Sequence, residues 1–69
     1  MGNQQALDAY GLSAESATDS LAARLLEINN FKLRVEAKTK RHYIVYGKHK
    51  YYVTVHRCKS GMYRAYVYV

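Results

Sequence analysis

The apolar positions of the chain change period once, dividing it into a helical and a pleated part. Leu12, Ala14, Ala17, Leu21, Ala22, Leu25, Leu26 and Ile28 recur at helical spacing, and Glu15, Ser16, Asp19, Arg24 and Glu27 take the opposite face. Ser13 is placed to cap the start with Glu15 in the first turn, and Asn29 or Asn30 can supply the left-handed residue that ends the helix. Residues 1–11 show little signal and read as a lead-in or one short turn. The spacing therefore predicts a helix within 12–30.

After Asn30 the period becomes two. Phe31, Leu33, Val35 and Ala37 alternate with Lys32, Arg34 and Glu36, the pattern of a half-buried strand with a charged outer face. Three further strands are predicted over 42–46, 49–57 and 62–69, rich in the Tyr and Val that pleated surfaces favour. Gly47-Lys48 fits a two-residue hairpin turn, and Lys59-Ser60-Gly61 a three-residue loop.

These turns set a register. Tyr46 pairs with His49, so Ile44 faces Tyr51 and Tyr43 faces Tyr52. Cys58 pairs with Met62, so Val55 meets Ala65, Val53 meets Val67 and Tyr51 meets Val69. A four-residue connection over 38–41 then sets Val35 opposite Ile44 and Leu33 opposite Tyr46. The aliphatic residues collect on one face, which a one-residue slip would scatter. The expected fold class is α+β, with one N-terminal amphipathic helix packed on a four-stranded antiparallel meander, all within one small domain, 1–69. Strand edges at 31–37 and 62–69 are open to pairing with a second subunit.

The opposite face carries Lys32, Arg34, Glu36, Tyr43, Val45, Lys50, Tyr52, Thr54, His56, Arg64, Tyr66 and Tyr68. Tyr43, Tyr52 and Tyr68 are expected to form one row, and the turns at one end of the sheet add a rim of Lys38, Lys40, Arg41 and Lys59. A single helix leaves this face uncovered. Tyr51 and Tyr63 are expected inside.

Charge sharpens the picture. The chain of 69 residues has a net charge of +6, with hydrophobic residues at 49%, charged residues at 23% and no proline, a composition that folds rather than one that stays disordered. The charge is divided: residues 1–30 hold Asp8, Glu15, Asp19 and Glu27 against Arg24, whereas residues 31–69 hold ten of the eleven basic residues and only Glu36 as an acid. Seven of the eight tyrosines share that basic half. Polyanions are the first partners to expect.

Aromatic rings among Lys and Arg on an open sheet suit single-stranded nucleic acid, because bases stack on the rings while cations neutralise phosphates. The residues expected to bind are Arg34, Lys38, Lys40, Arg41, Tyr43, Lys50, Tyr52, His56, Lys59, Arg64, Tyr66 and Tyr68. A small accessory factor of a phage or mobile element fits the size and charge. The competing reading is a protein-binding inhibitor or module that docks on an acidic or nucleic-acid-binding surface of a larger enzyme, or that homodimerises through the tyrosine face. A third reading is plain surface, because tyrosine also coats exposed sheets and lysine keeps them soluble.

Catalysis is not expected. His42, His49 and His56 are seven apart, which puts His42 and His56 on opposite faces of a pleated sheet, so they do not converge as metal ligands. Glu36 has no carboxylate companion for acid–base work, and Gly47-Lys48-His49-Lys50 lacks the spacing of a phosphate loop. No cofactor is implied. The start of the chain has no apolar signal segment, no run is long enough to span a bilayer, and the lone Cys58 suits a reducing compartment. These features predict a cytoplasmic monomer or weak homodimer that does not enter membranes.

A helix followed by an antiparallel meander resembles the element order of cystatin-like folds. Val45-Tyr46-Gly47-Lys48 does not match the inhibitory hairpin of protease-inhibiting cystatins, and the chain has neither Pro nor Trp for their second loop. The likeness is architectural and implies no function. A double-stranded-RNA-binding domain needs a closing helix that this chain does not contain.

Overall fold

A strand, not a lead-in, begins the fold. The computed structural model describes residues 5–69, and residues 1–4 of the expected lead-in lie outside the described residues. The elements are β1 (Ala6–Gly11), α1 (Ala14–Arg24), a π-helical turn (Leu25–Asn29), β2 (Arg34–Val35), β3 (His42–Tyr46), β4 (His49–Tyr52), β5 (Thr54–Arg57) and β6 (Tyr63–Tyr68). The class is α+β, as the sequence indicates. The sheet is not one meander of four strands but two antiparallel sheets of three, ordered β1-β6-β5 and β2-β3-β4.

The helix starts where its cap predicts. Ser13 is extended, its Oγ accepts the Ser16 N–H at 3.0 Å, and Ser16 Oγ in turn accepts the Ser13 N–H at 3.0 Å. Two otherwise orphaned backbone donors are thereby satisfied. Gly11, immediately before, allows the strand to approach the helix. A Cβ there would collide with the backbone of Ser16 and Ala17, which no side-chain motion can relieve. At the other end Asn30 takes the left-handed conformation and its N–H donates to the Leu25 carbonyl.

The expected apolar face of the helix is only partly used. Ala17, Leu21 and Leu25 are fully buried, whereas Leu12, Leu26 and Ile28 are exposed. The wider π turn after Arg24 keeps Leu25 inward and rotates Ile28 out of line with Leu21. Around this ridge the core gathers Leu7, Ile44, Val53, Ala65 and Val67, with Phe31, Leu33, Tyr51 and Tyr63 packed at its margin. Tyr51 and Tyr63 thus face inward but remain half-buried.

The two predicted hairpin turns hold. Tyr46 pairs with His49, Ile44 with Tyr51 and Tyr43 with Tyr52, with Gly47 at positive φ in the turn. Across the second turn the Cys58 N–H donates to the Met62 carbonyl at 2.7 Å, and Val55 pairs with Ala65. The β2–β3 pairing differs from the expected one. Val35 faces His42 rather than Ile44, so Leu33 moves correspondingly and the connection runs over 36–41. The shift is of two residues, which preserves the side of the sheet on which each residue lies. Lys40 is left-handed in this longer connection, where its N–H donates to the Glu36 carbonyl at 2.9 Å.

The expected third strand is divided at Val53. Its first half pairs with β3, and its second half pairs with β6 in a ladder that stops at Thr54–Tyr66. The expected pairs Val53–Val67 and Tyr51–Val69 are therefore absent from the ladder. Val53 instead donates its N–H to the His42 carbonyl at 2.9 Å and buries its side chain, so it joins both sheets where the ladder changes partner.

Beyond the ladder the far side of β6 is taken by β1, from Ala6–Tyr68 through Gly11–Tyr63. The edge at 62–69 is consequently closed, and β1 becomes the outer strand of its sheet. The helix packs on β1, β6 and β5. The other sheet gains only the flank of this core, which leaves Val35 and Tyr46 exposed. No helix among the described residues is long and apolar enough to cross a membrane.

Candidate nucleic-acid interface

Pleating places one set of side chains away from the helix on both sheets. On β2-β3-β4 this set includes Arg34, Tyr43, Lys50 and Tyr52, with Arg34 opposite Tyr43 and Tyr43 opposite Tyr52. The Tyr43 and Tyr52 rings are 5.9 Å apart in a tilted arrangement. Lys50 Nζ lies 4.8 Å from the Tyr43 centroid, and the Arg41 guanidinium lies 4.5 Å from that of Tyr52. Both distances fall within the range in which a cation is attracted to an aromatic face.

The second group lies on β1-β6-β5. Tyr66 and Tyr68 meet edge to face at 5.5 Å, and Arg64 lies 4.5 Å over Tyr66. Thr54 pairs with Tyr66 and His56 with Arg64, leaving His56 exposed beside them. Tyr68 pairs with Ala6 of β1. The expected continuous row of Tyr43, Tyr52 and Tyr68 is therefore not formed. The break between the ladders at Val53 separates it into a Tyr43–Tyr52 pair and a Tyr66–Tyr68 pair.

Two carboxylates organise these groups. Glu36 Oε2 accepts from the Tyr52 hydroxyl at 2.8 Å and lies 3.7 Å from Lys50 Nζ, while its Oε1 accepts from the Thr39 hydroxyl at 2.8 Å. Hydrogen bonds from Thr39 and Tyr52, with the Lys50 charge, hold the Glu36 carboxyl below its ordinary pKa. The same bond raises the Tyr52 phenol, because ionising it would remove the donor and set two negative charges together. Arg64 Nε donates to Asp8 Oδ2 at 2.9 Å, which raises the guanidinium still further.

The rim residues sit where the turns carry them. Lys38, Lys40 and Arg41 lie on the β2–β3 connection, Lys59 lies on the β5–β6 turn, and all four are exposed. The ion pairs among the described residues are Lys50–Glu36 and Arg64–Asp8. Arg34, Lys38, Lys40, Arg41 and Lys59 thus have no carboxylate within salt-bridge reach among the described residues.

The structure brings together Arg41, Tyr43, Lys50 and Tyr52 in one cluster and His56, Arg64, Tyr66 and Tyr68 in another. It adds Asp8 and Tyr10 to the outer side of the second, neither of which the sequence reading included, and it makes Glu36 the hub of the first. The alternation of Leu7 and Ala9 with Asp8 and Tyr10 is the signal that could have identified β1. No family model matches this chain, and neither does any curated protein or solved structure to which it was compared.

Proposed function

We propose that the protein is a small binder of nucleic acid, favouring single strands, that uses the outward tyrosine clusters and the lysine-rich turns. The observation that carries this reading is the pairing of each outward ring group with a cation: Arg41 on Tyr52, Lys50 on Tyr43 and Arg64 on Tyr66. Rings in such a setting offer a stacking surface for bases, and the neighbouring cations neutralise backbone phosphates. Arg34, Lys38, Lys40, Arg41 and Lys59 supply the phosphate contacts, and Tyr43, Tyr52, Tyr66 and Tyr68 the stacking surface. The reading involves no catalytic step.

The test is a salt titration of binding to short single-stranded oligonucleotides. Phosphate contacts make log affinity fall linearly with log salt, with a slope of roughly 0.7 per neutralised phosphate on a single strand. Binding that is absent at low salt, or indifferent to salt, overturns the proposal.

A second reading draws on the carboxylates. Lys50 is engaged by Glu36 and Arg64 by Asp8, so an incoming phosphate must compete with partners already in place. That arrangement supports docking on the surface of a larger protein, where tyrosine supplies buried area and the unpaired rim meets acidic groups. Stable capture of an acidic protein by a variant that no longer binds oligonucleotides would favour this second reading.

A further inference from the structure

The first strand has one side occupied and the other open. Gln5 and Val69 exchange both backbone hydrogen bonds, at 2.9 and 3.1 Å, which fixes the phase of the β1–β6 ladder. Bonded rungs alternate along an antiparallel pair, so Leu7, Ala9 and Gly11 address β6. Ala6, Asp8 and Tyr10 consequently aim their N–H and C=O groups away from it. No backbone partner for these groups occurs among the described residues.

Sheet edges of this kind are ordinarily blunted by lysine, proline or a bulge. Between Ala6 and Gly11 there is none of these: the strand is regular, and its one charge, Asp8, is neutralised by Arg64. Beside the edge runs a groove lined by Asp8, Ala9, Tyr10, Arg24, Glu27 and Ile28. Tyr10 and Ile28 are both more than half exposed there, at 53% and 66%.

We infer that this edge pairs with the same edge of a second copy of the chain, antiparallel about Ala9, to give a two-fold dimer with one continuous six-stranded sheet. The register follows from chemistry. Centring the two-fold on Asp8 would set two carboxylates face to face, whereas centring it on Ala9 sets each Asp8 against Tyr10 of the second copy. In that register Asp8 and Tyr10 form the bonded rungs, using the groups that β6 leaves open. The two-fold also sets the two grooves side by side and antiparallel, each offering both an Arg24 cation and a Glu27 carboxylate to the other. Such a strand–strand contact is isologous and closes on itself.

The dimer does not depend on the proposed nucleic-acid binding, and salt separates the two. Each copy carries +6, so screening the repulsion should tighten the dimer while it weakens binding to a polyanion.

The experiment is sedimentation equilibrium of the full chain at low and high salt, without nucleic acid, joined to amide hydrogen exchange over a range of protein concentrations. A dimer is expected, with the Asp8 and Tyr10 amides gaining protection as concentration rises. Tyr10→Pro should give a monomer with unchanged circular dichroism, since that N–H makes no bond within the subunit and proline is tolerated on an open edge. A monomer at every concentration and salt, or Asp8 and Tyr10 amides that exchange at a concentration-independent rate, overturns the inference. So does a dimer of the unmodified chain in which these two amides stay unprotected, because the contact then lies elsewhere.

Discussion

The Tyr52 hydroxyl donates to Glu36 across 2.8 Å, tying the outer face of β4 to the start of the β2–β3 connection. One bond thereby fixes a proposed stacking ring and the loop that carries Lys38, Lys40 and Arg41. The acid that does so is the only one in residues 31–69.

This bond makes stability depend on pH at two ends. Glu36 has a lowered folded pKa, so its contribution is present above the ordinary carboxylate range and is lost as pH falls through the folded value. Tyr52 has a raised folded pKa, so its contribution is present below the ordinary phenol range and is lost as pH rises through the folded value. Glu36→Gln should flatten the acid limb of a melting-temperature profile, and Tyr52→Phe the alkaline limb. Profiles that superimpose on that of the unmodified protein would show that the bond contributes nothing in solution.

Substitutions on the two sides of the sheets should separate binding from folding. Tyr52→Ala and Tyr68→Ala are expected to weaken oligonucleotide binding by about 1–3 kcal/mol each, the range for loss of one stacked base. Ile44→Ala, at a fully buried position, should instead lower folding stability by about 2–5 kcal/mol. Denaturant unfolding and binding isotherms on the same samples check both, since an unfolded variant also fails to bind.

The rim can be tested as a unit. Replacing Lys38, Lys40, Arg41 and Lys59 together by alanine should leave the circular dichroism spectrum intact and shorten the salt slope of binding by roughly 0.7 per phosphate contact removed. An unaltered slope takes the rim out of the interface.

Gly11 should tolerate no side chain. Gly11→Ala places a Cβ against the backbone of Ser16 and Ala17, so β1 or the start of α1 must move. The expected loss of stability is about 1–3 kcal/mol, the usual cost of forcing extra volume into a packed site. A thermal melt equal to that of the unmodified chain would mean that the helix start shifts freely.

Local chemistry announces itself in this sequence more clearly than long-range pairing does. The Ser13 cap, the left-handed Asn30, the Gly47 turn and the Cys58–Met62 closure each depend on a few neighbouring residues, and each is legible. The division of the third strand at Val53 is not, because no glycine or proline marks it. It accompanies the placement of β6 between β1 and β5, with α1 packed over all three. β1 itself contains two alanines and a glycine, weak strand formers, so its alternation is easily passed over.

The same limit applies to the site. The outward tyrosines follow from register alone, and the even shift of β2 leaves their side unchanged. Their division into two clusters follows from the break at Val53, and the role of Glu36 follows from a six-residue connection whose length the turn residues do not dictate. A solitary acid on a charged strand face carries no sign of being a hub.

Asp8 and Arg64, whose side chains meet at 2.9 Å, stand 56 positions apart in the chain. The β1–β6 ladder between them must therefore close a loop that contains every other element and both hairpin turns. Closing a loop of that length costs entropy that short-range turns avoid, and proteins rich in such distant pairings fold slowly for their size. The β3–β4 hairpin can form from neighbouring residues at any time. The first sheet must wait for β6, so during synthesis the helix has no completed surface to cover until Tyr63–Tyr68 has emerged.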